Sequence, residues 1–219
     1  MIEYAPQTVD FIRSYNPVPE TQPGSIEMAA ELINQSVKPL MLVGQGVELA
    51  GARQELLALC EKAQIPFGQT MLGLSAAPTG HPLNMGMLGM HGNLAPNVMT
   101  NQCDLLIAVG MRFDDRVTGD LHTYAKQAKV IHFEIDPSEV GKIVKPTVAV
   151  LGNCKQTLAQ VTELVEPARH QAWIDGFKPY AEKEYNKVID AALNPKDGPL
   201  LMGEVVRRVS EAANNEAIM

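Results

Sequence analysis

The sequence predicts an α/β protein. The expected fold is a doubly wound, Rossmann-like parallel sheet of about six strands with helices on both faces, followed by C-terminal linker helices. Three observations carry this. Short apolar runs without polar alternation recur along the chain, as in strands buried on both faces. Nearly every run stops at a glycine or an aspartate. Stretches of helical periodicity separate the runs, which is the rhythm of βαβ units. Right-handed crossovers then place helices on both sides of the sheet.

Residues 1–23 read as a linker or an arm lying on a neighbour, because Pro6, Pro17, Pro19 and Pro23 punctuate a segment of little periodicity. Regular structure is expected from Ser25, a good N-cap residue. Glu27 follows where its charge suits the helix dipole. Ile26, Ala29, Ala30, Ile33 and Val37 recur at the helical period. Pro39-Leu40-Met41-Leu42-Val43 is the first strand and stops at Gly44-Gln45-Gly46. A helix over residues 50–63 leads to a second strand over 65–70, with Pro66 near its start, where a missing N–H does least harm. A glycine- and methionine-rich loop over residues 70–92 follows. The third strand spans 104–109, the fourth 130–135 and the fifth 147–151, with a helix over 155–165. These elements make up a domain over residues 24–166.

Residues 167–219 read as a helical connection. Helix is expected over 168–193, bent or interrupted at Pro179, with Trp173, Phe177 and Tyr180 roughly on one side. Asn194-Pro195-Lys196-Asp197-Gly198-Pro199 is a break, and a last helix over 200–213 carries Leu201, Val205 and Val209 four residues apart. The ending Glu216-Ala217-Ile218-Met219 resembles a strand cut at its start, as in a piece of a larger protein.

Composition narrows the function. The 219 residues suffice for one large domain or two small ones, and the 46% apolar fraction is ordinary for a globular chain. A net charge of −7 argues against non-specific binding to nucleic acid or anionic membrane, both of which need a basic surface. Cys60, Cys103 and Cys154 form no C-x-x-C pair, so neither a disulfide framework nor a zinc site is suggested. No apolar run reaches the length of a membrane span, and no signal peptide is visible. The expectation is a soluble, cytoplasmic protein.

Ligands of open parallel sheets bind beyond the carboxyl ends of the strands. Gly44-Gln45-Gly46, with Gly51, reads G-x-G-x-x-x-x-G rather than the dinucleotide fingerprint G-x-G-x-x-G. It is equally a phosphate-approaching turn or a tight strand-to-helix turn. Met90-His91-Gly92 lies in a loop long enough to bind something. No second His or Cys stands at metal-ligand spacing from His91, so no metal is expected. Arg112 and Arg116 bracket Asp114 and Asp115 after a very apolar strand, which suits a phosphate or carboxylate. If that turn opens a helix, the two arginines share a face. The plainer role for Arg116 is an ion pair with Asp114 or Asp115. Glu134-Ile135-Asp136 offers either a ribose partner or a turn before Pro137. Gly152-Asn153 is a helix start near a ribose or adenine, or only a cap.

Gly86 to Gly92 (GMLGMHG), Arg112 to Gly119 (RFDDRVTG) and Ile131 to Asp136 (IHFEID) together resemble the central domain of the acetolactate synthase large catalytic subunit family. The resemblance is close over residues 38–165. It implies a middle domain with a DHS-like NAD/FAD-binding fold, holding an FAD that does no redox chemistry. By resemblance, FAD contacts Gly44, Gln45, Gly46, Thr70, Met71, Leu72, Leu88, Gly89, Met90 and His91. It also contacts Gly110, Met111, Arg112, Asp114, Val117, Glu134, Ile135, Asn153 and Cys154. The arginine matching Arg116 meets the second substrate's carboxylate and is the catalytic candidate. Asn153 stands where the family commonly has Asp, and Gln45 where it commonly has Gly.

The family enzyme uses thiamine diphosphate and Mg²⁺ held by flanking N- and C-terminal domains, and no G-D-G metal motif occurs in this chain. It decarboxylates pyruvate and joins the two-carbon unit to a second 2-oxo acid, in branched-chain amino-acid biosynthesis. The resemblance further implies a homodimer or tetramer with a small regulatory subunit, and no activity for this chain alone. The alternatives are a free-standing NAD- or ADP-binding module, a structural domain with a vestigial nucleotide site, and a related carboligase.

Overall fold

The computed structural model describes residues 18–216. The prolines at 6 and 17, most of the expected arm, and the last three residues lie outside this range. Of the arm, the Thr21 hydroxyl donates to the Leu151 carbonyl at 2.8 Å, which ties the chain to the sheet before the first helix.

That helix, α1 (Ser25–Gln35), buries Ala29, Ala30 and Ile33 as the periodicity requires. Its entry differs from expectation. Gly24, at φ 79°, occupies the cap, and the Ser25 hydroxyl instead donates back to the Gln22 carbonyl at 2.8 Å. The five residues of β1 (Pro39–Val43) are all buried, because the strand is central and covered on both faces. The helix expected over 50–63 is α3 (Arg53–Ala63), and an unexpected short helix, α2 (Gln45–Leu49), precedes it, the two parted by Gly51 at φ 61°. A left-handed glycine ends one helix and turns the chain into the next.

The second strand, β2 (Phe67–Gln69), is shorter than expected, and a 3₁₀ turn over Met71–Gly73 follows it. The long loop then hides the sixth strand, β3 (Asn84–Met87). Its residues are Asn, Met, Gly and Met, none fully buried, with a register shift against β2. A strand without β-branched residues or alternation leaves little trace in sequence. After α4 (Leu94–Thr100) come β4 (Leu105–Val109), the short α5 (Asp115–Thr118), β5 (Lys129–Glu134), β6 (Val148–Leu151) and α6 (Cys154–Leu164).

The six strands pair in parallel throughout, in the order β3-β2-β1-β4-β5-β6. Strand order reverses between β1 and β4, the crevice where doubly wound folds bind ligands. Alternate residues of the central strands feed two cores. Met41, Val43, Ile107, Val109, Ile131 and Phe133 pack with α1, α3 and α6 on one face. Leu40, Leu42, Leu106, Ala108 and Val130 pack on the other with Ala95 and Met99 of α4. Each large apolar side chain so buried stabilises by roughly 1.5–3 kcal/mol relative to exposure.

The C-terminal stretch begins as part of this second face. Trp173, on α7 (Gln171–Asp175), and Phe177 are buried there, and the indole N–H donates to the Pro39 carbonyl at 2.8 Å. Pro179 lies in the first turn of α8 (Lys178–Glu184), where its missing N–H is harmless, so the break precedes it. A π-helical turn over Tyr185–Ile189 continues into α9 (Asp190–Leu193). The last helix, α10 (Met202–Ala212), leaves Met202, Val205, Val206 and Val209 exposed. Among the described residues, no helix is long and apolar enough to cross a membrane.

Candidate functional site

All six strands point the same way, so the segments after them meet along one edge of the sheet. At the switch point the glycines pack backbone on backbone. A Cβ on Gly110, which has φ 58°, would stand 2.6 Å from the Cα of Gly46, and one on Gly46 would stand 2.7 Å from the Cα of Gly110. A Cβ on Gly44 would collide with the Gly110 carbonyl. The amide of Gly44 donates to Val109 at 2.9 Å and that of Gly46 to Gly110 at 3.0 Å. The glycines therefore let two loops close on each other, and these two N–H groups are already engaged by protein carbonyls.

Beyond β2, the Thr70 amide donates to the Val43 carbonyl at 2.9 Å, while Met71 and Leu72 stand 63% and 64% exposed. Beyond β3, Leu88 is buried and the chain turns at Gly89, φ 102°. Asn97 of α4 grips this turn twice: its Oδ1 accepts from the Gly89 amide and its Nδ2 donates to the Gly89 carbonyl, both at 2.8 Å. Asn93 accepts from the Met87 amide at 2.9 Å. These two asparagines build the loop, and neither stands out in the sequence, since nothing local marks a partner several residues back. Met90, 67% exposed, donates its amide to the Arg116 carbonyl at 2.7 Å and so joins this loop to the one after β4. His91 is exposed.

After β4, Met111 is buried and Arg112 exposed. Phe113 is buried at φ 53°. Asp114 caps α5 by accepting from the Arg116 amide at 3.2 Å, and its other oxygen pairs with Arg112 Nη2 at 2.7 Å. The Arg116 amide first, with the Arg112 guanidinium among the others, holds the Asp114 carboxyl below its ordinary range. Two expectations change here. Arg112 precedes α5, so the arginines share no helix face. Asp114 pairs with Arg112, and among the described residues Arg116 is in no ion pair although its side chain is exposed. Val117 is half-buried against the second core.

After β5, Glu134 Oε1 accepts from the Ile135 and Asp136 amides at 2.8 and 3.1 Å. Burial pushes this carboxyl up, but the His132 ring, with Nε2 3.7 Å from Oε2, and the two amides outweigh it and leave the group below its ordinary value. Ile135 is 43% exposed, and Asp136 closes its own turn onto the Ser138 amide at 2.8 Å. After β6, Asn153 caps α6 by accepting from the Lys155 amide at 2.9 Å. Cys154 is buried with Sγ 3.4 Å from the Gly46 carbonyl. Burial pushes its thiol up to about 11, so it stays protonated at neutral pH.

The edge thus collects a row of open apolar side chains beside two exposed arginines and a half-buried carboxylate. Among the described residues, no cluster of three or more His, Cys, Asp or Glu could hold a metal ion. A cavity of about 620 Å³ lies elsewhere, between β3 and the segment 181–189, walled by Leu74, Met85, Met87, Tyr185 and Ile189.

Residues 26–161 match the family described as thiamine pyrophosphate enzyme, central domain. The chain is 45% identical over 212 residues to a probable acetolactate synthase large subunit of Methanocaldococcus jannaschii, covering 95% of this chain and 35% of that one. It is 40% identical over 178 residues to the acetolactate synthase large subunit of Corynebacterium glutamicum, covering 79% of this chain and 28% of that one. Against that of Parasynechococcus marenigrum it is 40% identical over 194 residues, 86% of this chain and 30% of the relative. The chain spans about a third of the length of these relatives. With the parallel six-stranded sheet, these matches establish that the chain belongs to the family of thiamine pyrophosphate enzyme central domains.

Proposed function

We propose that this chain is the central domain of an acetolactate synthase large subunit and that the carboxyl edge of its sheet holds FAD. The observation that carries the reading is the row Met71, Leu72, Met90 and Ile135, exposed by 63%, 64%, 67% and 43% along the edge that also bears Arg112. Open apolar side chains in such a row suit the faces of a flavin and an adenine. A guanidinium beside them suits a diphosphate.

In this assignment the diphosphate goes to Arg112, oriented by Asp114, because the Gly44 and Gly46 amides already donate within the protein. Glu134, held as an acceptor-only carboxylate, takes ribose hydroxyls. Thr70, Met71, Leu72, Leu88, Gly89, Met90, His91 and Ile135 form the rim. Gly44, Gln45, Gly46, Gly110, Met111, Val117, Asn153 and Cys154 shape the floor. In the family the bound flavin supplies no redox chemistry and acts structurally.

Arg116, exposed and outside any ion pair among the described residues, is free to meet the carboxylate of a 2-oxo acid where the domains join. Thiamine diphosphate and Mg²⁺ belong to the flanking domains of a whole enzyme that decarboxylates pyruvate and condenses the two-carbon unit with a second 2-oxo acid. We assign that enzyme to the cytoplasm, as a homodimer or tetramer with a small regulatory subunit.

Two measurements test the reading. After equilibration with FAD and desalting, the chain should keep a flavin spectrum at about one flavin per chain. No flavin bands, and no binding even at about millimolar FAD, would contradict it. With pyruvate, thiamine diphosphate and Mg²⁺ the chain alone should give no carboligation; turnover above background overturns the assignment of catalysis to the flanking domains.

A further inference from the structure

One buried polar side chain beneath the arginine turn is not itself among the groups assigned to the flavin, although its Nε2 lies 3.7 Å from Glu134 Oε2. His132 is fully buried in β5, between Ala108 of β4 and Ala149 of β6. Its Nε2 lies 2.7 Å from the Met111 carbonyl, which can only accept, so Nε2 carries the proton. Nδ1 is then a lone pair buried without a partner. Leaving a polar atom unpaired in the core is unfavourable, so the ring must be held for something else. Edge-on against it, with centroids 5.1 Å apart, lies Phe113, whose ring also meets Tyr124 at 6.5 Å. Phe113 has φ 53°, a backbone state that bulky side chains rarely adopt and that persists only when the surroundings enforce it. His132 thus touches both neighbours of Arg112, one by a hydrogen bond and one by ring packing.

We propose that His132 is a positioning residue for Arg112: it pins Met111 and supports Phe113, and so fixes where the guanidinium is presented at the sheet edge. Only the identity of the anion met there rests on the proposed flavin site.

Two substitutions in the full chain separate this role from simple core filling. In His132→Gln the amide N–H stands about as far from the backbone as Nε2, and the amide oxygen replaces one unpaired acceptor by another. His132→Leu fills the space but leaves the Met111 carbonyl unpaired. Hydrogen exchange at the amides of Gly110, Val117 and Thr118, all bonded within or beside the turn, is the readout. In His132→Leu their exchange should rise by about tenfold or more while the central amides of β1 and β4 stay slow. His132→Gln should return the turn to within about threefold of the parent chain. FAD affinity should follow the same order.

A rise spread evenly over the sheet, or an unchanged turn in His132→Leu, overturns the proposal, as does a failure of His132→Gln to restore the turn. Ring-nitrogen NMR of the unsubstituted chain needs no variant. It should show the Nε2–H tautomer, and the Nδ1–H tautomer overturns the proposal. If the chain takes up no FAD, the flavin reading fails, while exchange and tautomer still decide the role of His132.

Discussion

Arg112 and Arg116 stand four residues apart and are held in different ways. Arg112 is tied to Asp114, and Arg116 only lends its amide to the same carboxylate. Their presence at a strand end was legible, because the apolar run of β4 before them marks a buried strand. Their geometry was not, because it depends on where α5 begins and on a buried phenylalanine in a left-handed turn. The glycine turn after β1 shows the same limit. Its position was legible, but its partner Gly110 comes from another strand, and only the fold reveals that the glycines meet each other. Lysine cannot reproduce a bidentate contact to a carboxylate. Arg116→Lys in the full-length enzyme should therefore lower kcat/KM by about tenfold or more, about 1.4 kcal/mol of transition-state stabilisation, with flavin content unchanged. Steady-state kinetics and a flavin spectrum check this; unaltered kinetics, or loss of FAD together with activity, would refute it.

At the scale of elements, five strands were legible because their buried residues form mainly apolar runs, interrupted only by Gln69 in β2 and His132 in β5. The sixth, β3, escaped because it is a half-buried edge strand of Asn, Met and Gly. Besides its pairing with β2, the loop and helix next in the chain fix its end, where Asn97 of α4 satisfies both backbone groups of Gly89. Removing that side chain leaves a donor and an acceptor unpaired. Asn97→Ala should cost about 1–3 kcal/mol, or a fall in Tm of roughly 3–10 °C for a chain of this size. Asn97→Asp keeps the acceptor but sets a carboxylate oxygen against the Gly89 carbonyl, so it should cost at least as much as Asn97→Ala. Thermal unfolding checks the series, and a Tm unchanged in Asn97→Ala would show that the loop after β3 is fixed by other contacts. The C-terminal helices follow the same logic. Trp173 and Phe177 were legible as one apolar side, but that they close the second face of the sheet depends on the distant Pro39 carbonyl.

Over the whole molecule, the alternation of strands and helices was enough to give a doubly wound parallel sheet, because the right-handed crossover leaves few other ways to bury both faces. Parallel pairing throughout then places all six carboxyl strand ends on one edge, with the switch point between β1 and β4 along it. The flavin proposal for that edge rests on its surface: methionine, leucine and isoleucine side chains left open beside Arg112, in a chain whose other apolar residues mostly fill two cores. The most direct test is a fluorescence titration of the chain with FAD, run in parallel on Arg112→Gln. Saturable binding that weakens by about tenfold in the variant, with its Tm unchanged, is the expected result. Absence of binding by the unsubstituted chain, or equal affinity in Arg112→Gln, would contradict a flavin held at this edge through its diphosphate.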